Sequence, residues 1–329
     1  MTDLSDAPVL VFGPYNADGL AELKTRFAHV HHLSEKNLSL LPAGERETIR
    51  AVAVAGTFEN TDMADLPALE IVGHFGVGYD GIDAAHAATL GIAVTNTPDV
   101  LTDEVADTAV ALTLMTVREL HHAEAHARSG DWERKGPYPL TRFSMRRKSV
   151  GIMGLGRIGL AIAHRLESFG VAIHYHNRSK RSDVAYPYHA TLGDLAEAVD
   201  ILLIAAPGGA STDRAVDATV LKRLGPDGIL INIGRGSTVD EAALIEALQS
   251  GTIAAAGLDV FADEPRIPAE LRALRNTVLL PHVASASRDT RIAMGDLVAD
   301  NLSRWFAGQD LATPVPESAE AGLVRRKKG

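Results

Sequence analysis

The stretch "VGIMGLGRIGLAIAHRLESFG", Val150 to Gly170, limits what this chain can fold into more than any other. An apolar run leads into three glycines, Gly154, Gly156 and Gly159, spaced G-x-G-x-x-G, and a helical pattern follows. A second apolar run, "VAIHYH", ends about twenty residues further on, as a dinucleotide-binding βαβ unit requires. Each glycine has its own reason. Gly154 permits the tight turn, Gly156 lets the backbone approach a pyrophosphate, and Gly159 lets the helix lie close to the strand. The helix N-terminus, with the amides of Arg157 and Ile158, presents partial positive charge to the phosphates.

The next stretch, "HYHNRSKR" (His174 to Arg181), bears on which dinucleotide is bound. A chain that binds NAD usually offers a carboxylate here, which hydrogen-bonds the ribose hydroxyls and repels a 2′-phosphate. This chain has Asn177 in that place, then Arg178, whose planar fork can pair with a phosphate, and Ser179, which adds a hydroxyl donor. Lys180 and Arg181 are read as adding diffuse positive field. NADP(H) is therefore the preferred cofactor, with NAD(H) possible.

Short apolar runs alternate with helical patterns along almost the whole chain, the mark of a parallel α/β architecture. The first series has strands at Val9 to Gly13, Ala51 to Gly56, Glu70 to Phe75 and Ile92 to Asn96, with a helix in "ADGLAELKTRF". A single long helix is expected from Thr102 to Ser129, with Thr102 as N-cap, Asp103 and Glu104 in the first turn, and Gly130 ending it. A loop, "DWERKGPYPLTRFSMRRK", precedes the second series of strands, "VGIMG", "VAIHYH", "DILLIAA", "GILINIG", "AAAGLDV" and "TVLLP". From Ser287 one long helix follows. It is spare once the second sheet is complete, so it is expected to return to the first domain. The expected fold is α/β, two Rossmann-like/flavodoxin-like parallel-sheet domains with a cleft between them. Residues 1–100 and 288–329 would form a discontinuous substrate-binding domain, and residues 101–287 the dinucleotide-binding domain.

Composition removes several alternatives. The chain has 329 residues and no cysteine, which excludes disulfides, thiolate metal sites and cysteine nucleophiles and suits a reducing, cytoplasmic setting. A formal net charge of −10 argues against nonspecific nucleic-acid binding. No apolar run reaches about 18 residues, so no membrane span is expected. The start "MTDLSDAPVLVFG" shows no signal peptide, and the basic tail "VRRKKG" reads as a solvated end. His121, His122 and His126 share a helical spacing but lack carboxylate support, so an exposed helix face is expected there and no metal site.

Three later stretches complete a wider pattern: "INIGRGSTVDEAALIEAL", "AAAGLDVFADEP" and "LLPHVASAS". With the glycine turn, "HFGVGYDGID" and "NTPDVLTDEVADTAVAL", they resemble the D-isomer-specific 2-hydroxyacid dehydrogenases over nearly the whole chain. Within that family the similarity is strongest to the glyoxylate/hydroxypyruvate reductases and their hydroxyphenylpyruvate-reducing relatives. The resemblance implies a catalytic arginine at Arg235, an acid at Glu264 and a histidine at His282. Those residue types suit one chemistry. Hydride delivered to the carbonyl carbon of a 2-oxo acid leaves negative charge on the oxygen. A protonated imidazole can supply the proton, a carboxylate beside it favours the charged imidazole, and a guanidinium can hold the substrate carboxylate and polarise the carbonyl.

The resemblance further implies that Val77 and Gly78 offer backbone amides to the substrate carboxylate. It places Thr108 at the nicotinamide-side phosphate and Asp259 near the nicotinamide carboxamide. Gly234, where relatives usually carry alanine, and Ser285, where many carry glycine, depart from the family pattern. The loop 131–143, with Trp132, Tyr138, Pro139 and Leu140, is expected to line the substrate side-chain pocket and to reach the neighbouring subunit of a homodimer. The substrate would be a small 2-oxo or 2-hydroxy acid. A phosphoglycerate-type dehydrogenase, or a nucleotide-sensing protein like the corepressors built on this scaffold, are the alternatives.

Overall fold

Five short runs of valine, alanine and isoleucine build the first sheet, in a computed structural model that describes residues 5–326. They are β1 (Val9–Phe12), β2 (Val30–Leu33), β3 (Ala51–Val54), β4 (Ile71–His74) and β5 (Ala93–Thr95). All pair in parallel, in the order β2-β1-β3-β4-β5, with Val9 opposite both Val30 and Ala51. Every residue of β1, β3 and β4 is buried, which explains why they are continuous apolar runs instead of alternating ones. Sequence reading missed β2, "VHHL". It is an edge strand, and its two histidines interrupt the apolar pattern.

The chain divides into two compact units, Met1–Leu101 with Ala286–Gly329, and Thr102–Ser285. In the first unit the helix Arg288–Phe306 crosses the helix Ala17–Arg26 at a glycine pair. A Cβ added at Gly295 would lie 2.7 Å from the Gly19 Cα, and one at Gly19 3.3 Å from the Gly295 Cα, so the two backbones pack closely here. The same long helix covers β4, where Gly73 faces Val298. Caps fix both starts. Asn16 Oδ1 accepts from the Gly19 amide at 2.8 Å, and the Ser287 hydroxyl accepts from Thr290. Met1 to Leu4 and the last three residues of the basic tail lie outside the described residues. Arg326 of that tail is not merely solvated: it donates to Glu70 at 2.6 Å.

The second unit holds β6 (Ser149–Met153), β7 (Ala172–His176), β8 (Ile201–Ile204), β9 (Ile229–Asn232), β10 (Ala255–Leu258) and β11 (Thr277–Leu279). All are parallel, in the order β11-β10-β9-β8-β6-β7. The winding direction reverses at β6, between β7 on one side and β8 on the other. In open parallel sheets ligands bind at the carboxyl ends of such strands.

The helix expected from Thr102 to Ser129 is two helices, Thr102–Val117 and Leu120–Arg128. Thr102 is already helical, so it is not the N-cap. Glu119 interrupts the run with φ 50°, and Tyr138 donates to its carboxylate at 3.0 Å. One left-handed residue leaves the apolar spacing on either side intact, so periodicity alone runs straight through the break. The histidines of the second helix are also not an exposed face. His122 Nε2 donates to the Arg275 carbonyl at 2.6 Å, His126 Nε2 to the Gly136 carbonyl at 2.9 Å, and the His121 ring lies 3.9 Å from that of His122. Burial, followed by the charge of His122, pushes the His121 imidazole toward its neutral form. Among the described residues no helix is long and apolar enough to cross a membrane.

Candidate active site

The glycine turn joins β6 to the helix Arg157–Glu167, with Gly156 at the N-cap position and no side-chain cap. The amides of Arg157, Ile158 and Gly159 therefore stand at the positive end of the helix. Gly154 has φ +94°, and a Cβ there would lie 2.6 Å from the Ala206 amide nitrogen just beyond β8. A Cβ at Gly159 would lie 2.3 Å from the Gly154 carbonyl oxygen. Gly156 differs: nothing lies within 4 Å of a Cβ added there, so that side chain would project into open space at the helix N-terminus. Packing thus demands Gly154 and Gly159, while Gly156 has no steric reason within the described residues to be glycine.

The stretch after β7 meets this turn. Asn177 Oδ1 accepts from the Leu155 amide at 2.7 Å, so Asn177 faces the glycine turn itself. Arg178 and Ser179 are exposed, and their side chains make no hydrogen bond or ion pair with the described residues. Arg181 departs from its expected role as diffuse field. It pairs side-on with Asp183 and donates to the Leu155 carbonyl at 2.7 Å.

Arg235 follows β9 on a segment whose backbone is locked. Asn232 Oδ1 accepts from the Gly234 amide at 3.0 Å, an Asx turn, while Asn232 Nδ2 and the Thr238 hydroxyl both donate to the Arg235 carbonyl. Asn232 and Thr238 were not singled out from the sequence, although an asparagine two residues before a glycine is the signal such a turn leaves. A Cβ at Gly234 would sit 2.5 Å from the Ala206 carbonyl oxygen. The departure from alanine here therefore has a steric reason. Gly236 is tighter still, with a Cβ only 1.9 Å from the Phe261 carbonyl carbon.

Glu264 and His282 come together from the segments after β10 and β11. His282 Nδ1 lies 2.7 Å from Glu264 Oε2, and Glu264 Oε1 accepts from the Phe261 amide at 3.0 Å. Burial pushes the Glu264 carboxyl up, but the His282 hydrogen bond and charge, the Phe261 amide and the Arg235 charge outweigh it and hold it below the ordinary carboxylate range. His282 itself has φ 53°, a conformation uncommon for a non-glycine residue. Asp259 maintains it. Its carbonyl accepts from the His282 amide at 2.8 Å, and its fully buried carboxylate accepts from the amides of Val283 and Ala284 at 2.8 and 2.9 Å. Both carboxylate oxygens are thus engaged in shaping the histidine turn. Burial leads in pushing the Asp259 carboxyl up, against those two amides. Thr108 donates to the Ala284 carbonyl at 3.2 Å, on the far side of the same turn.

In the first unit, Val77 and Gly78 follow β4. Thr97 donates its amide to the Gly76 carbonyl at 2.9 Å, and Asn96 Nδ2 donates to the Val77 carbonyl at 2.8 Å. The Gly76 amide in turn donates to the His74 carbonyl at 3.1 Å.

Residues 110–284 match the sequence model of the D-isomer specific 2-hydroxyacid dehydrogenase family, NAD binding domain. The chain is 48% identical over 311 residues to glyoxylate/hydroxypyruvate reductase A HPR2 of Arabidopsis thaliana, covering 93% of this chain and 98% of that one. It is 43% identical over 310 residues to the hydroxyphenylpyruvate reductase of Plectranthus scutellarioides, with 93% and 98% coverage. Among solved structures, the NADPH-dependent glyoxylate/hydroxypyruvate reductase SmGhrB of Sinorhizobium meliloti, in complex with NADP and malonate, superimposes with a TM-score of 0.94. That alignment has 51% identity and covers 99% of this chain and all of that one. The chain belongs to the D-isomer specific 2-hydroxyacid dehydrogenase family.

Proposed function

We propose that this chain is an NADPH-preferring reductase of small 2-oxo acids, glyoxylate and hydroxypyruvate first and aryl-pyruvates second, forming D-2-hydroxy acids. The observation that carries the reading is the His282–Glu264 pair at 2.7 Å, in the same unit as the glycine turn and Arg235. The printed activities of the relatives, and the NADP complex of SmGhrB, support the same substrate class and cofactor.

When bound, the reduced nicotinamide supplies hydride to the carbonyl carbon. His282 donates its proton from Nε2 to the oxygen, since Nδ1 is committed to Glu264. Glu264 holds the ring through Nδ1. Arg235 grips the substrate carboxylate and polarises the carbonyl, and Val77 and Gly78 are carboxylate-binding residues of the first unit. Gly154, Gly156 and Gly159 with the amides of Arg157 and Ile158 hold the pyrophosphate, and Arg178 and Ser179 the 2′-phosphate. Thr108 and Asp259 act at the nicotinamide end, both through the turn that carries His282. The first unit is the substrate-binding domain and the second the dinucleotide-binding domain.

A homodimer completes the reading. Leu140 is 101% exposed and Trp132 66% exposed within the single chain, a degree of apolar exposure that a partner surface would relieve. This supports an arm at residues 131–143 that serves the neighbouring subunit.

The test is oxidation of NADPH and of NADH by the purified protein with glyoxylate, hydroxypyruvate and 4-hydroxyphenylpyruvate. NADPH is expected to serve better than NADH, and Arg178→Ala to raise the KM for NADPH by about tenfold or more with little change for NADH. Absence of turnover with all three acids would remove the enzymatic reading. Equal effects of Arg178→Ala on the two cofactors would remove the phosphate assignment.

A further inference from the structure

The sequence marks Arg178, Ser179, Lys180 and Arg181 as one polar run, yet the last of them is bound quite differently from the rest. We propose that Arg181 is a positioning residue for the dinucleotide, bracing the carbonyl of Leu155 inside the glycine turn and taking no part in phosphate recognition. The proposal rests on the cofactor reading above and assigns a second, separate job within it.

Leu155 lies between Gly154 and Gly156 and is fully buried. Both of its backbone polar groups are held from the end of the next strand: its amide by Asn177 Oδ1 at 2.7 Å, its carbonyl by Arg181 Nη1 at 2.7 Å. The Arg181 guanidinium is engaged along its Nε–Nη2 edge and at Nη1. Nε and Nη2 meet the two oxygens of Asp183, Nε at 2.9 Å. Three of the five N–H donors an arginine carries therefore point at protein groups. The Nε–Nη2 edge, which would grip a phosphate side-on, is thus taken by Asp183. The backbone of Arg181 is fixed as well, its amide donating to the Tyr175 hydroxyl at 2.9 Å.

The other end of the run is pinned too. Beyond Asp183 the chain returns to pair with the edge strand β7: Tyr175 donates its amide to the Pro187 carbonyl at 3.0 Å, and His189 donates to the Tyr175 carbonyl at 2.9 Å. That places Tyr188 so that its hydroxyl donates to the Asn177 carbonyl at 3.2 Å. Arg178, Ser179 and Lys180 are thus exposed residues on a short arch fixed at Asn177 and at Arg181. The guanidinium of Arg181 acts on the pyrophosphate turn, which both dinucleotides share. The Tyr175 hydroxyl holds the backbone of Arg181 and so supports the same brace.

Brace and phosphate recognition therefore separate experimentally. NADPH and NADH are titrated by their fluorescence into the full-length protein carrying Arg181→Ala, Arg181→Lys, Asp183→Asn or Tyr175→Phe, with melting temperature and the KM for glyoxylate measured alongside. Arg181→Ala is expected to weaken both cofactors by about tenfold, keeping the ratio of their affinities within about a factor of two, and to leave the KM for glyoxylate unchanged. Asp183→Asn, which only loosens the guanidinium, is expected to shift both cofactors in the same direction by less. Arg181→Lys, able to reach the carbonyl with one donor, is expected to recover part of the loss. Tyr175→Phe, which releases the Arg181 amide, is expected to weaken both cofactors by less than Arg181→Ala. If Arg181→Ala weakens NADPH alone, Arg181 is a phosphate ligand and the brace is overturned; if folded Arg181→Ala and Asp183→Asn proteins bind both cofactors like wild type, it is overturned as well. A wild-type protein with no preference for NADPH would instead sink the 2′-phosphate reading, while an equal loss of both cofactors in Arg181→Ala would still stand for the brace.

Discussion

At His282 the backbone takes a left-handed conformation that a histidine adopts only when its surroundings demand it, and the demand comes from Asp259. One buried carboxylate turns the chain so that the imidazole meets Glu264. The net downward shift of the Glu264 carboxyl has a direct consequence for pH. A carboxyl depressed in the folded state contributes stability above its ordinary range and loses it only as pH falls through the lowered value. Glu264 therefore stays ionised below the ordinary carboxylate range and remains a charged partner for Nδ1 of His282 at neutral and mildly acidic pH. The kcat for reduction is expected to be highest at neutral to mildly acidic pH and to fall toward alkaline pH. A rate still rising beyond about pH 9 would exclude His282 as the proton donor. His282→Ala is expected to lower kcat by about 100-fold or more, and Arg235→Ala to damage KM and kcat together.

Among the elements, the glycine turn offers a sharper contrast, because its members are glycine for different reasons. Gly156→Ala adds a methyl group to open space at φ −86°, outside the left-handed region that favours glycine. Its stability in urea is expected to stay within about 1 kcal/mol of wild type while both dinucleotides bind more weakly. Gly236→Ala forces a Cβ to 1.9 Å from the Phe261 carbonyl carbon, a clash with backbone that no rotamer relieves. It is expected to cost about 2–3 kcal/mol and to displace Arg235, lowering kcat. Unchanged cofactor binding in Gly156→Ala would mean that the turn does not cradle the pyrophosphate. The strands and the turn were legible in the sequence because buried parallel strands are continuous apolar runs and the G-x-G-x-x-G spacing has one structural use in that context. What escaped reading are features decided by single contacts. The two histidines of β2 hide an edge strand, the left-handed Glu119 divides a helix without disturbing its periodicity, and the Leu155 carbonyl that claims Arg181 is 26 residues away in sequence. Of the candidate site, residue types and order were legible, but the clamps behind them, Asn232 and Thr238 for Arg235 and Asp259 for His282, needed the geometry.

The chain as a whole makes one of its units from two distant segments, and Glu70 shows how they are joined. Its carboxylate, at the start of β4, accepts from Arg50 at 2.7 Å, from Trp305 Nε1 at 3.1 Å and from Arg326 at 2.6 Å, so the first hundred residues and the last forty share one anion. Burial pushes this carboxyl up, but hydrogen bonds from Arg326, Arg50 and Trp305, with the Arg50 charge, prevail and hold it below its ordinary value. The sign follows as for any depressed carboxyl: the stabilisation is complete above the ordinary carboxylate range and is lost as pH falls through the folded-state value. Glu70→Ala is expected to destabilise the first unit by about 1–3 kcal/mol at neutral pH, since it strands the Trp305 N–H and two guanidiniums, part of which solvent recovers at Arg326. The deficit relative to wild type is expected to shrink as pH is lowered below about 4, because the wild-type carboxyl is then protonated too. Amide hydrogen exchange localises the effect. Protection should fall in β4, β5 and the helix Arg288–Phe306, while β6 to β11 keep theirs. A deficit that persisted undiminished at pH about 2 would show that Glu70 acts by packing alone and not through its charge.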